Sequence, residues 1–263
     1  MSVIPEPPFA TRHRGADAFT LLELLVVIAI MAIMAAVLLP ALTGIKGAGD
    51  VTKSAYDIAG ILDQARAYAM ANNTYVWVGI FEEDPAAPAT TPATAGTGRI
   101  VVAAVASRDG TRGYEVTSLS SPATWANYSN GANLVPIARL QRFENLHLAP
   151  LFSTLPNKGG MSRPTVNSGN YQLGNTNCAS ITPFDWPLGK ATGTGQYSFT
   201  KVINFDPQGV ARIQMVTNED NIEPYMDIGL IPTHGNAVPA TTPANVAAIQ
   251  VNGMTGATRI YRP

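Results

Sequence analysis

The longest apolar stretch of the chain contains one ionisable side chain, the carboxylate of Glu23. This stretch runs from Phe19 to Leu39, 21 residues without glycine or proline. As an α-helix it would be about 31 Å long at roughly 1.5 Å per residue, which matches the roughly 30 Å hydrocarbon core of a bilayer. A carboxylate in hydrocarbon is costly unless it is paired, so we expect Glu23 to have a function. The alternative is a tolerated acid near the interface whose side chain reaches water.

The sequence offers few other groups with the spacing of a chemical site. It contains no G-x-S-x-G, P-loop, H-E-x-x-H or C-x-x-C motif. Cys178 is the single cysteine, so we expect a small buried side chain there. The oxygen-rich segment 218–221 lacks EF-hand spacing, and the histidines lack partners at metal-ligand spacing; these are His13, His147 and His234. We therefore predict no catalytic residue, no metal and no cofactor.

The composition favours a loop-rich β domain outside the cytosol. Of 263 residues, 13% are charged and 46% are hydrophobic, and there are 23 glycines and 20 prolines. The formal net charge of −1 provides no general attraction for nucleic acid. This chain is long enough for one anchor and one core-forming domain.

The residues before the apolar stretch are typical of a targeting segment rather than of a folded part of the protein. Residues 1–18 contain three prolines, which disfavour a helix, and a short basic cluster, Arg12-His-Arg14. By the positive-inside rule, this end stays in the cytoplasm and the remainder is translocated.

After the apolar stretch the sequence predicts an interrupted helix. Pro40 should kink it, and the glycine-rich stretch 41–50 is expected to be weak or melted. The helix should then resume with one apolar stripe and end at Asn72-Asn73. That stripe consists of Ile58, Ile61, Leu62, Ala65 and Ala69, and we expect it to pack on the sheet that follows.

The remainder of the chain predicts strands separated by turn-rich segments. The segment 74–81 is apolar on both alternating faces, which indicates a buried central strand. Turns at 206–209 and 254–256 predict two tight hairpins. Long loops are expected at 82–98 and 150–196. Further strands are predicted at 99–107, 114–119, within 134–148, and at 197–205, 210–216, 225–231, 246–252 and 257–261.

The segment Ala18-Phe-Thr-Leu-Leu-Glu23-Leu-Leu-Val-Val-Ile-Ala-Ile resembles the class III signal of type IV prepilins and type II secretion pseudopilins. In that family a prepilin peptidase cleaves before the apolar run and N-methylates the new terminus. The resemblance therefore implies cleavage between Ala18 and Phe19 and methylation of Phe19. Glu23 then becomes the fifth mature residue, and Pro40 the twenty-second, where many pilins carry a proline.

One position departs from the pattern of the family, which usually has glycine before the cleaved bond. Here that residue is Ala18, and the nearest upstream glycine is Gly15. Cleavage after Gly15 would make Glu23 the eighth mature residue, so we prefer the Ala18–Phe19 bond.

The resemblance also implies a role for Glu23 and a set of partners. Cleavage leaves an amine at Phe19, and Glu23 of an incoming subunit would pair with the amine of the preceding subunit. Pairing lowers the cost of both charges in an apolar environment. The implied partners are other pilin subunits, the prepilin peptidase, an inner-membrane assembly platform and membrane lipid.

Three further segments resemble the minor pseudopilins of the GspH/FimT kind. They are LDQARAYAMANNTYVWVGIF (62–81), INFDPQGVARI (203–213) and IQVNGMTGATRIYRP (249–263). The N-terminal motif also resembles prepilin-like proteins encoded in multi-gene cassettes of Verrucomicrobia.

The sequence thus predicts an α+β, pilin-like fold in which a long N-terminal transmembrane helix packs on an antiparallel β-sheet domain. The expected parts are a leader (1–18), a transmembrane assembly helix (19–39), an amphipathic continuation (40–73) and a periplasmic β-rich domain (74–263). The predicted function is that of a minor pseudopilin subunit, not an enzyme.

Two alternatives to that function remain. In the first, the β domain of a minor pilin binds DNA, a surface or a secreted substrate, with Arg259 and Arg262 as the cations for DNA. Two arginines neutralise little phosphate, so we do not expect nucleic acid as a partner. In the second, the chain is a signal-anchored envelope protein that never polymerises.

Overall fold

The structure is a computed structural model. It describes residues 20–113, 123–130, 133–151, 163–191, 193–215, 222–241 and 243–263, and no side chain from 36 to 50.

The N-terminal helix α1 spans Leu21–Ala71 without a break. The expectation of a melted stretch at 41–50 is therefore wrong. Helix propagation adds one hydrogen bond per residue without a new nucleus, so helical sequence on both sides can carry a few poor helix formers. The predicted kink at Pro40 stays a prediction. By its contacts the chain divides into two compact units, one ending at Gly44 and one beginning at Ile45.

The second unit is built on a large antiparallel sheet. Its strands are β1 (Val76–Glu83), β2 (Gly98–Ser107), β3 (Leu134–Pro136), β4 (Gln141–Leu148), β7 (Lys201–Phe205), β8 (Ala211–Arg212), β9 (Tyr225–Pro232), β10 (Ala247–Asn252) and β11 (Thr258–Tyr261). They lie in the order β11-β10-β9-β4-β2-β1-β7-β8, and β3 pairs with the C-terminal end of β2. The fold class predicted from the sequence, an α+β arrangement of an N-terminal helix on an antiparallel sheet, is confirmed.

One face of this sheet packs against the C-terminal half of α1. The predicted helical stripe is buried, with Ile58, Leu62 and Ala65 completely inaccessible, and it joins one cluster with the strand residues of this face. Burying one large aliphatic side chain contributes about 1.5–3 kcal/mol, so this stripe is a main source of the stability of the domain. After Ala71 the chain leaves the helix through Asn72 and Asn73, and Asn73 has a φ of 48°. The predicted packing and helix end are confirmed.

The opposite face of the sheet is covered by a second layer. This layer comprises the helix α2 (Ala123–Asn130) and a two-stranded ribbon of β5 (Phe184–Trp186) and β6 (Tyr197–Phe199). The ribbon approaches the sheet at Gly79 in the middle of β1, where a Cβ atom would lie 2.6 Å from the Cβ of Phe199. A glycine within a strand often marks such a close approach, and here it admits the aromatic side chains of the ribbon.

Several strand predictions need correction. The segment 197–205 is two strands in two different sheets, because β6 pairs with β5 while β7 pairs with β1. The segment 150–196, expected to be a loop, includes β5 and a short 3-10 helix at Gly169–Tyr171. Among the described residues of the predicted strand at 210–216, Ala211–Arg212 form the strand β8, and Ile213 and Gln214 lie outside it. The predicted strand at 114–119 lies outside the described residues.

The two predicted hairpins are present, and both turns lie against Arg66 of α1. Gly209 and Gly256 have φ angles of 82° and 64°. A Cβ on Gly256 would overlap with the carbonyl oxygen of Gly209 and lie 3.0 Å from Cδ of Arg66. The Ala211 N–H also donates to the Gly253 carbonyl at 2.8 Å. The two ends of the sheet are therefore tied together next to one helix residue.

Asp206 holds the first of these turns. Its Oδ1 accepts hydrogen bonds from the N–H groups of Gln208 and Val210, both at 2.9 Å, and its Oδ2 accepts from Arg212 at 2.7 Å. The aspartate supplies the acceptors that fix the turn.

We predict that Gly256→Ala destabilises the domain more than Gly235→Ala. Gly235 has a similar φ of 62° but open space around its Cβ position. Gly235→Ala should therefore cost only backbone strain, about 1–2 kcal/mol. Gly256→Ala should cost about 1–3 kcal/mol more, because the new atom overlaps with a backbone carbonyl. Urea unfolding of the full chain in mild detergent, followed by tryptophan fluorescence, measures both. Equal destabilisation by the two variants would show that the turns are not tightly apposed.

Candidate assembly site in the N-terminal segment

Thr20 caps the first turn of α1, directly before the apolar helix. Its Oγ1 accepts a hydrogen bond from the N–H of Glu23 at 3.2 Å, and its carbonyl accepts from the N–H groups of Glu23 and Leu24. Thr20-Leu-Leu-Glu23 thus has the sequence of a capping box, in which the threonine side chain satisfies the N–H three residues on. The T-x-x-E pattern is the sequence signal for this cap, which the expectations above do not include.

Glu23 lies in this first turn, where the positive end of the helix dipole favours an acid. The residue is exposed in the isolated chain. Its carboxylate is therefore placed at the beginning of the helix, four residues after Phe19, the terminus that the predicted cleavage would create.

The helix that follows exposes its apolar side chains. From Leu21 to Met34 every large hydrophobic residue is between 46% and 83% exposed. Exposed apolar surface of this extent marks an interaction with membrane or protein. This half of α1 thus presents an apolar surface that the described residues of the chain do not cover.

In the part of the chain that the structure describes, no helix is both long enough and apolar enough to cross a bilayer. Ala18, Phe19, Gly15 and the basic cluster lie outside the described residues, as do the side chains from 36 to 50. Cleavage at Ala18–Phe19, methylation, the Phe19–Leu39 span and the role of Pro40 remain predictions.

The two arginines near the C-terminus differ in their contacts. Arg259 is exposed on β11, whereas Arg262 donates to the Oγ1 of Thr52 on α1. On the same strand Thr258 donates to Oδ1 of Asp63 at 2.8 Å. The last strand is therefore attached to the helix by two side-chain bonds, and one of the two arginines takes part in this attachment.

The cysteine and the two described histidines lie in surroundings that give them no chemical role. Cys178 is buried, as predicted, and burial raises the pKa of its thiol to about 11. His147 lies 2.7 Å from Glu82, Nδ1 to Oε1, and His234 is on the surface. Within the described ranges, no group of three or more His, Cys, Asp or Glu is placed to hold a metal. His13 and the segment 218–221 lie outside these ranges.

Two other ionisable side chains are perturbed by their surroundings. Burial lowers the pKa of Lys201, whose Nζ donates to the carbonyl of Leu173 at 2.5 Å. Asp109 accepts hydrogen bonds from the Thr111 N–H and from three hydroxyl groups, and these hold the pKa of its carboxyl well below its usual range. Both groups thus serve as anchors for neighbouring chain segments.

Comparison with known proteins identifies the N-terminal segment. Residues 14–39 match the family described as "Prokaryotic N-terminal methylation motif". No curated protein and no solved structure matches the chain. The motif covers the candidate cleavage site, Glu23 and the exposed apolar part of α1.

We predict that Thr20→Ala loosens the first turn of α1, whereas Thr20→Ser preserves it. Loss of an N-cap costs about 1 kcal/mol, so amide exchange in this turn should become about fivefold faster. Serine keeps the hydroxyl acceptor and serves as the control. Hydrogen exchange at the Glu23 amide, with the full chain in detergent micelles, measures the effect. Equal exchange in the alanine and serine variants would contradict the cap.

Proposed function

We propose that this chain, which carries the N-terminal methylation motif found in type IV prepilin-like proteins, is a minor pseudopilin or pilin subunit. A prepilin peptidase processes it, and the mature chain is assembled into a type II secretion pseudopilus or a type IV pilus. Its role is structural, as is general for pilin-like proteins. The single observation that carries the proposal is the methylation motif at residues 14–39, directly at the start of α1.

The exposed first half of α1 supports the assembly role. Its apolar side chains from Leu21 to Met34 need an apolar environment. Lipid can supply that environment before assembly, and the helices of neighbouring subunits can supply it afterwards. A helix that is apolar all round suits both, because it has no polar face that either environment would leave unsatisfied.

Glu23 gives this otherwise uniform surface one specific contact. A paired carboxylate and amine cost much less in an apolar environment than either charge alone. We propose that Glu23 of an incoming subunit pairs with the methylated amine of Phe19 in its neighbour. The Thr20 cap orders the turn that carries Glu23, so the carboxylate enters the contact on a formed helix.

The motif indicates an N-terminal membrane anchor, and we propose its orientation from the charges that flank it. Arg12, His13 and Arg14 precede the apolar stretch, which favours a cytoplasmic N-terminus. The β domain would then lie in the periplasm, anchored in the inner membrane until assembly.

We infer a minor subunit of the GspH/FimT kind from the globular domain. The three segments that resemble this group meet in space, because the turns at Gly209 and Gly256 both contact Arg66. The DNA-binding alternative has less support, since Arg262 is engaged with Thr52.

Mass spectrometry of the mature N-terminus tests the processing. We expect a peptide that begins at Phe19 and carries one methyl group. A peptide that begins at Ala16 would instead assign cleavage to the bond after Gly15. An unprocessed chain beginning at Met1 would contradict the pilin proposal.

Two variants of Glu23 separate its charge from its place in the cap. Glu23→Gln keeps a side chain suited to a capping box but removes the charge, whereas Glu23→Ala removes both. If pairing with the amine governs assembly, both variants should enter filaments at least about tenfold less than the wild type, since breaking a desolvated pair costs more than 1.4 kcal/mol. The measurement is the ratio of chain in sheared filaments to chain in the membrane fraction of the native host.

The same experiment has clear contrary outcomes. Wild-type assembly of Glu23→Gln with loss of Glu23→Ala would assign Glu23 to the cap alone. Wild-type assembly of both variants would favour the non-polymerising envelope protein. Asp57→Asn, at an exposed acid in the second half of α1, is the control for loss of one charge elsewhere.

A further inference from the structure

A polar cleft of about 390 Å³ lies between the loop after β1 and the outer side of the β domain. The loop residues 84–94 form one wall, and side chains of β2, β4 and β6 form the other. Its volume is within the roughly 300–1,000 Å³ range of small-molecule sites. The assembly role proposed above does not use this cleft.

The wall formed by the loop is fixed by hydrogen bonds within the domain. The Asp84 N–H donates to the Thr94 carbonyl at 3.2 Å, which closes the loop. Its far side is attached to β6, because the Ala93 N–H donates to the Gln196 carbonyl at 2.8 Å. These bonds fix the loop wall within the domain, so a ligand would not have to order it on binding.

The opposite wall consists of charged side chains that neutralise each other. Arg99 lies between two acids, with Nη1 2.5 Å from Glu83 Oε1 and Nε 2.6 Å from Glu144 Oε1. Arg142 donates to the Tyr197 hydroxyl through Nε at 3.1 Å and Nη2 at 3.0 Å. The Glu144 side chain is 52% exposed and that of Arg99 is 27% exposed, so this wall offers a ligand both an acceptor and a donor.

The mixture of acidic and basic groups in the cleft disfavours charged ligands and purely apolar ligands. An anion would approach the carboxylates of Glu83, Asp84 and Glu144, and a cation would approach the two guanidinium groups. A purely apolar ligand would remove water from these groups without replacing its hydrogen bonds, which is costly. A neutral ligand with adjacent hydroxyl groups can both donate and accept, and its C–H surface can contact the wall of Pro85, Pro88 and Ala89.

We propose that this cleft binds a short neutral saccharide. Arg142 and Glu144 contact the sugar hydroxyls from the strand side, and the proline- and alanine-rich loop contacts the face of the ring. The subunit would thereby carry a binding function for neutral glycan in addition to assembly, and the two functions can fail independently.

Saturation-transfer difference NMR on the full chain in detergent micelles tests the proposal. The probes are maltotriose, cellotriose and N,N′-diacetylchitobiose, with digalacturonic acid as the charged comparison. We expect at least one neutral probe to bind saturably. Digalacturonic acid should displace that probe only poorly. Binding of the charged sugar alone, or of no sugar, would overturn the proposal.

Variants connect the binding to the cleft. Arg142→Ala and Glu144→Gln should each weaken the neutral probe by about tenfold, as expected for loss of a hydrogen bond to a charged group. Arg139→Ala removes an exposed arginine that does not line the cleft and should leave affinity within about twofold. Thermal unfolding of each variant verifies that the fold is retained. Equal affinity in all three folded variants would also contradict the proposal.

Discussion

The burial of one face of α1 against the sheet is the interaction on which the rest of the structure depends. Ile58 and Leu62 are completely buried in the same cluster as the inner residues of the strands. The first half of the same helix exposes its apolar residues from Leu21 to Met34. One continuous helix thus supplies the core of the β domain with its second half. Its first half leaves large apolar side chains exposed, which is the surface that the proposed assembly would cover.

The sheet is covered on both faces, and glycines determine where its coverings approach closely. Gly79 admits Phe199 and Phe184 of the ribbon, while a Cβ on Gly229 of β9 would overlap with the carbonyl oxygen of Ala149. Near the helix, Gly209 and Gly256 leave room for Arg66. In each case a side chain would overlap with atoms that are distant in sequence. These glycines therefore serve tertiary packing rather than strand formation, which they disfavour.

The beginning of α1 combines two demands on a short segment. Thr20 and Glu23 form the start of a capped helix, and Glu23 also places a charge in the N-terminal turn, where the helix dipole favours it. The proposed pairing with the Phe19 amine uses the same carboxylate for contact between subunits. A capped and ordered first turn lowers the entropy lost when that contact forms.

The sequence by itself determined the buried helical stripe, the central strand β1, the two tight hairpins and the N-terminal motif. These features are encoded in periodicity, turn residues and one short pattern, all of which are local. The T-x-x-E cap is equally local, whereas the continuity of α1 through 41–50 ran against the local helix propensities. Only the tertiary structure decided that 197–205 divides between two sheets and that β5, β6 and α2 cover the second face. It also decided that the turns at Gly209 and Gly256 both contact Arg66. Likewise, only the tertiary structure brings Arg142 and Tyr197 to the same cleft as the loop 84–94. Apolar alternation is the same for a strand in either sheet. Which sheet a strand joins therefore depends on contacts between distant segments, which no local pattern records.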